Sequence, residues 1–394
     1  MLLALALVVA ACGGDDADTT TTAAEAGPDT TEAAPETTEA APDTTTGEPV
    51  ACELTVGMMG PFTGEVAFIG QVQLNWFKYA LDLWNEETGY DFQMVEADDQ
   101  FDVAQAATLA QTLLDNSAVL AAVGPAGSDH VDSAGAVYQA GDPDFTFISP
   151  SATRVGITAQ YQGLFRTVPS DADQGPTTAT FFLDQGAMSV FIVDDQSSYS
   201  TGLADIVEEQ MTTAGATVVR ESVSQDVTDF SALVGTIAND TDFVYLPWQV
   251  AANGQIFATQ MAEQGKNAVI FGSDGMDSGD FTAAGSYVAA FAPDIAAVDG
   301  SQDLLAGFLE QYDETNTFGP PVYAAARVIF EAADRVCQAG ETLDRANLQA
   351  EIVATDQATS ILGSPISFNE DGDLAEGQFF IFQIQEDGTK TLVP

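Results

Sequence analysis

Val119-Leu120-Ala121-Ala122-Val123-Gly124, a helical pattern over 129–140, and then Phe145-Thr146-Phe147-Ile148-Ser149 form the stretch that decides the fold. Two short apolar runs bracket a helix, which reads as one strand–helix–strand unit. The same alternation extends both ways. Upstream, Leu54-Thr55-Val56-Gly57-Met58-Met59 reads as a buried strand. Leu74, Phe77, Tyr79, Ala80, Leu81 and Trp84 recur at helical spacing over 71–85. A strand follows over 92–97, and then a helix over 102–116 with Asp102 as N-cap. Downstream, a second series begins after Thr167. Helices are predicted over 173–185, 200–214, 230–239 and 254–264, and strands over 189–193, 217–221, 242–246 and 267–272. A long helix over 321–339, a shorter one over 344–354 and a final strand pair around 368–374 and 379–384 complete the chain. Two such series imply an α/β protein with two Rossmann-like parallel sheets. In open α/β sheets ligands bind beyond the carboxyl ends of the strands. Function is therefore expected in the loops 60–70, 124–130, 149–153, 194–199, 247–249 and 273–276.

The first fifty residues are of another kind. Met1-Leu2-Leu3-Ala4-Leu5-Ala6-Leu7-Val8-Val9-Ala10-Ala11 is apolar and ends on Cys12. It is too short to span a bilayer, which takes about 20 residues, and it suits a secretory signal. Val9-Ala10-Ala11-Cys12 resembles the lipobox of bacterial lipoproteins. That resemblance implies a signal peptide over 1–11, a lipidated Cys12, and a protein anchored outside the cell membrane. No Lys or Arg precedes Cys12, which leaves open a start upstream of Met1. The alternative is an uncleaved apolar N-terminus. Residues 12–50 read as an acidic tether of Thr, Ala and Pro, without aromatic residues or periodic apolar positions, and so unable to offset its chain entropy by burial.

Sixty acidic residues face nine basic ones, a formal net charge of −51. Ten of those acids and none of the bases precede Val50. Such a surface repels nucleic acid and anionic lipid headgroups, and it repels itself. It reads as a solubility adaptation to salt, with a cation-collecting surface as the alternative.

If Cys12 is lipidated, Cys52 and Cys337 remain, and two cysteines in an exported domain suggest one disulfide. Two buried free thiols is the alternative. His130 is the single histidine and lies two residues after Ser128, with no third group to orient a base, so a Ser/His nucleophile is not expected. The usual zinc patterns are absent, Gly57, Gly60 and Gly64 do not have dinucleotide-fingerprint spacing, and Asp371-Gly372-Asp373 is too short for an EF-hand loop. No enzyme activity, cofactor or metal is expected.

The loop sequences Ile148-Ser149-Pro150-Ser151-Ala152-Thr153, Phe165-Arg166-Thr167, Asp171-Ala172-Asp173-Gln174-Gly175 and Tyr199-Ser200-Thr201-Gly202-Leu203-Ala204 are similar to those of the branched-chain amino-acid binding proteins of ABC importers. Phe271-Gly272-Ser273-Asp274-Gly275 and Gly363-Ser364-Pro365 continue the likeness, which covers the chain from Leu54 onward. The resemblance implies the type I periplasmic-binding-protein fold, with two lobes joined by a hinge that the chain crosses three times. Carried over, lobe 1 is 51–170 plus 293–365 and lobe 2 is 171–292 plus 366–394. The ligand would be an amino acid, with leucine, isoleucine or valine leading. Ser128 and Thr153 would hold its carboxylate. The Ser151 carbonyl, the Thr153 hydroxyl and Asp274 would face its ammonium. Ile69, Gly127, Asp171, Tyr199, Trp248 and Gln249 would line the cleft and the side-chain pocket, Trp248 refilling space left by small residues. Relatives carry a Tyr at the position of Gln249. The implied partners are ABC permease subunits, with the protein a monomer. The alternatives are a site for an amide, urea or an aromatic acid, or a ligand sensor that does not serve transport.

Overall fold

The computed structural model describes residues 52–313 and 315–394. The signal peptide expected over 1–11, the lipidation expected at Cys12 and the tether expected over 12–50 lie outside the described residues.

The first lobe opens with β1 (Thr55–Gly60), α1 (Ala67–Thr88), β2 (Gln93–Asp98), α2 (Val103–Asp115), β3 (Val119–Val123), α3 (Ser128–Gly141), β4 (Thr146–Ser149) and β5 (Leu164–Arg166). Its five strands are all parallel, in the order β2-β1-β3-β4-β5. Helices cover both faces, so Val56, Met58 and Met59 on β1 and Val119, Ala121, Ala122 and Val123 on β3 are all buried. That double burial makes the strands continuous apolar runs rather than alternating ones. Asp102 caps α2 as expected, its carboxylate accepting from the N–H groups of Ala104 and Gln105 at 2.8 and 3.1 Å. Gly124 ends β3 at φ 96°, and a Cβ there would stand 1.9 Å from the carbonyl oxygen of Met59. Only glycine lets the cleft loop leave the sheet so close to β1.

The second lobe holds α4 (Asp171–Asp184), β6 (Ser189–Asp194), α5 (Ser198–Thr213), β7 (Thr217–Ser222), α6 (Ser231–Thr236), β8 (Phe243–Leu246), α7 (Ala251–Glu263), β9 (Val269–Gly272) and β10 (Tyr287–Ala290). The chain then returns to the first lobe with α8 (Gln302–Tyr312), α9 (Gly319–Gln338), α10 (Arg345–Val353) and a short ladder of β11 (Asp356–Gln357) with β12 (Ile366–Ser367). It ends in the second lobe with β13 (Phe380–Ile384) and β14 (Lys390–Leu392), giving a seven-stranded sheet in the order β14-β13-β10-β9-β8-β6-β7. The five strands from β7 to β10 are parallel, and β13 and β14 add antiparallel at the edge. The chain thus passes between the sheets three times: after β5, after β10 and before β13.

α9 lies along α1, and with α8 they build an aromatic core in which Trp76 of α1 stacks on Phe308 of α8 at 3.9 Å. Cys52, just before β1, is bonded to Cys337 near the end of α9, with the Cα atoms 5.7 Å apart.

Four departures from the sequence reading matter. β5, β10 and α8 were not anticipated, and α6 is shorter than the helix predicted over 230–239, because Ile237 is already extended. The strand pair expected around 368–374 and 379–384 is not formed. β13 pairs with β10 and β14, while Phe368 and Leu374 bridge each other. Residues 366–375, assigned from the resemblance to the second lobe, pack on the first. Ile366 pairs with Gln357 and is buried in the first core, and the carbonyl of Gly372 accepts from the Arg166 N–H at 3.2 Å.

Candidate functional site

The loops that leave β1, β2, β3 and β4 face those that leave β6, β8 and β9. Between them lies a cavity of about 20 Å³. From the first lobe it is lined by Ile69, Phe101, Ala126, Gly127, Ser128 and Ser151, with Phe318 at the start of α9. From the second lobe it is lined by Tyr199, Gln249, Asp274 and Gly275.

Ser128 is the first residue of α3, so backbone N–H groups at the helix start point toward the cleft, a favourable place for an anion. Ser128 is 1 % exposed, yet its hydroxyl has no partner. Thr153, after β4, is fully buried, and its hydroxyl is likewise unpartnered. The turn that carries it is pinned by Arg166, which donates to the carbonyls of Ala152 and Arg154 at 3.3 and 3.0 Å and pairs with Asp373 at 2.8 Å. The Ser151 hydroxyl is committed within the lobe, donating to the Ala126 carbonyl and accepting from Gln73 Nε2, both at 3.0 Å.

Asp274 begins a single 3-10 turn, Asp274–Met276, directly after β9. The strand end pushes its side chain into the cleft, and a cradle of the second lobe holds it. Tyr199 Oη donates to Asp274 Oδ1 at 2.6 Å, and Gln174 Nε2 donates to the same oxygen. Burial pushes the Asp274 carboxyl up to about 6, against the opposing pull of these two hydrogen bonds. Asp171, first residue of α4 at the hinge, is 1 % exposed and neither of its oxygens has a partner. Its carboxyl is held well above the usual range, by burial first and then by the charge of Asp274, while the Thr153 hydroxyl, close by but outside hydrogen-bond geometry, and the Arg166 and Arg154 guanidinium groups pull the other way. Unpaired buried carboxylates are costly, and each makes the other costlier. The cleft therefore presents unused donors on one side and under-compensated negative charge on the other.

Of the candidates read from sequence, Ile69, Gly127, Ser128, Ser151, Tyr199, Gln249 and Asp274 line the cavity together, and Thr153 and Asp171 are buried in direct contact, the Asp171 N–H donating to the Thr153 carbonyl at 2.8 Å. Trp248 is the exception and does not refill the pocket. Its Nε1 donates to the Val193 carbonyl at 2.7 Å and its ring packs on Phe230 and Phe257, inside the core of the second lobe. Three contributors were missed. Gln174 sat within a motif already quoted, one helical turn after Asp171. Phe101 follows β2 at a positive φ of 61° and stacks on His130 at 4.3 Å. Phe318 reaches the cleft from a distant part of the chain, packed edge-on against Phe68 and Phe291. Both nitrogens of His130 are unpartnered, so no hydrogen bond joins it to Ser128. Among the described residues no cluster of His, Cys, Asp or Glu is placed to hold a metal ion, and no helix is long and apolar enough to cross a membrane.

Comparison with known proteins places the chain among relatives of the same fold. A family model described as periplasmic binding protein matches residues 53–389. The leucine-, isoleucine-, valine-, threonine- and alanine-binding protein of Pseudomonas aeruginosa is 28% identical over 353 residues, covering 86% of this chain and 92% of its own length. The Leu/Ile/Val-binding protein of Escherichia coli K12 is 28% identical over 361 residues, covering 87% and 94%. Among solved structures, the branched-chain amino-acid transporter substrate-binding protein LivJ of Streptococcus pneumoniae, in complex with isoleucine, superposes with a TM-score of 0.78 at 22% identity, covering 86% of this chain and 99% of that one.

Proposed function

Because the chain belongs to the periplasmic binding protein family, we propose that it captures an α-amino acid of the branched aliphatic class between its lobes and delivers it to an ABC permease, outside the cytoplasm and held to the membrane through a lipidated Cys12. The observation that carries this reading is the division of labour across the cleft. The unpartnered hydroxyls of Ser128 and Thr153 and the start of α3 suit a carboxylate, and Asp274, oriented by Tyr199 and Gln174, suits an ammonium. A neutral amide, urea or an aromatic acid would leave Asp274 uncompensated in a buried site.

Capture works by closure. Asp129 of the first lobe accepts from the Ser198 N–H at 3.1 Å, and Thr317 donates to Asp277 of the second at 2.7 Å, so both bonds require the lobes to meet. A ligand that touches donors on one lobe and Asp274 on the other gains its full interaction only in that arrangement, and so selects it. This closed arrangement leaves a cavity of about 20 Å³, so the lobes part for entry and stand slightly wider apart when closed around the ligand.

The test is thermal melting of the full chain carrying Cys12→Ser against the twenty amino acids, urea, short amides and benzoate. Ligand at about 100 times its Kd adds roughly 2.7 kcal/mol to stability. A shift with leucine, isoleucine or valine is expected. A shift with benzoate or an amide alone would overturn the ammonium role of Asp274 and the reading built on it.

A further inference from the structure

The side-chain wall of the cleft contains one polar group that neither end of a zwitterion claims. Gln249 follows β8 and is half-buried against the cavity. Its orientation is set by a chain of hydrogen bonds that starts at Asp195. Asp195 Oδ1 accepts from the Ser197 N–H at 3.0 Å and the Ser197 hydroxyl at 2.6 Å. Its Oδ2 accepts from Gln225 Nε2 at 3.0 Å and from the Gln249 N–H at 3.2 Å. A carboxylate oxygen accepts, so Gln225 presents its NH₂ group to it rather than its oxygen. The same NH₂ donates to Gln249 Oε1 at 3.2 Å. The Gln225 backbone is in turn fixed by Asn253, which donates to its carbonyl at 2.8 Å. The oxygen of Gln249 is thereby used, and its Nε2 has no protein partner among the described residues. Of the walls around it, Ile69, Phe101 and Phe318 are apolar, and the Tyr199 hydroxyl already donates to Asp274.

We propose that Gln249 is the specificity-determining residue of the cleft, and that its oriented amide N–H selects amino acids whose side chain carries a hydrogen-bond acceptor, threonine over its isostere valine. The proposal rests on the amino-acid reading above and ranks threonine above valine among the amino acids that the site would take. A valine methyl against this N–H would leave a buried donor unpaired, whereas the threonine hydroxyl accepts from it. The comparison is clean because the two ligands have nearly the same shape.

The test is calorimetric titration of the Cys12→Ser chain, with and without Gln249→Leu, using alanine, valine, threonine and leucine. Threonine is expected to bind at least about tenfold more tightly than valine to the unaltered cleft. Gln249→Leu is expected to abolish or reverse that ratio. Valine binding as tightly as threonine to the unaltered cleft would overturn the selector role and leave the amino-acid reading standing. A threonine preference that survives Gln249→Leu, or loss of both ligands in that variant, would also overturn it. Failure of every amino acid to bind the unaltered protein would overturn the amino-acid reading itself, and this inference with it.

Discussion

Asp274 is the residue on which the cleft turns, and its protonation makes the proposed chemistry measurable. In the free protein its carboxyl titrates near 6, above its ordinary value, because burial disfavours the charge. A group raised in the folded state stabilises that state fully below its unfolded value, and the contribution is lost as pH rises through the folded one. For Asp274 that window runs from about 4 to about 6. An ammonium placed beside it reverses the preference, favouring the carboxylate. Binding should therefore release a proton near pH 6, and affinity should fall as pH drops below it, by up to about tenfold per unit. Calorimetry in buffers of different ionisation enthalpy reads the released proton directly. A proton count of zero at pH 5.5 would remove Asp274 from the site. Asp274→Asn should weaken amino-acid binding by about 2–5 kcal/mol, since the donors that orient it remain while its charge is gone. The melting profile of the ligand-free variant should stay cooperative. Asp171, raised by the same burial and by its neighbour, should lose some of its shift in that variant.

At the scale of elements, the disulfide and the cleft sit at opposite ends of the first sheet. Cys52 precedes the amino end of β1, and Cys337 lies at the far end of α9, whereas the ligand loops leave the carboxyl ends of the strands. The bond spans 285 residues of sequence, so it restricts the unfolded chain strongly. Cys52→Ser with Cys337→Ser should lower stability by about 2–5 kcal/mol and leave ligand affinity unchanged. A denaturation midpoint unmoved by the double substitution would show that packing of α9 on α1 already fixes these ends. The same elements show what a chain reveals in advance. β1, β3, β4, β6, β8 and β9 were legible because central parallel strands are buried on both faces and become unbroken apolar runs. β10 was not, since Tyr287-Val288-Ala289-Ala290 is short and largely small residues, and α8 buries only Phe308 fully. Trp248 and Gln249 illustrate a subtler limit. They follow the end of β8 at a bend, and only one of them faces the cleft. The aromatic ring went to the core and the amide to the ligand side. Phe101 and Phe318 could not be read at all, because their place in the wall comes from tertiary packing on His130, Phe68 and Phe291.

Across the whole molecule the dominant fact is charge, and the structure shows how few positive groups oppose it. Of the nine basic residues, eight lie in ion pairs with carboxylates, and Lys266 donates to the carbonyls of Gly235 and Ile237. None is left to neutralise the acids that remain. The excess is shared by both lobes: residues 51–170 hold 15 acids against 3 bases, and residues 171–292 hold 17 against 2. Closing the cleft brings two negative bodies together, so self-repulsion opposes both folding and capture. Salt shortens the reach of that repulsion from about 10 Å at 0.1 M to about 3 Å at 1 M. The attraction between Asp274 and a buried ammonium is screened far less, because the pair is removed from solvent. Raising potassium chloride from about 0.1 to 1 M should therefore raise the melting temperature and tighten amino-acid binding together, where an exposed ion pair would weaken. Melting curves and titrations across that range test both halves. Affinity that falls with salt while stability rises would mean the ligand is held by exposed charge rather than within the closed cleft. A melting temperature that does not move would mean the surface acids are already compensated by arrangement, and would refute the salt adaptation read from composition.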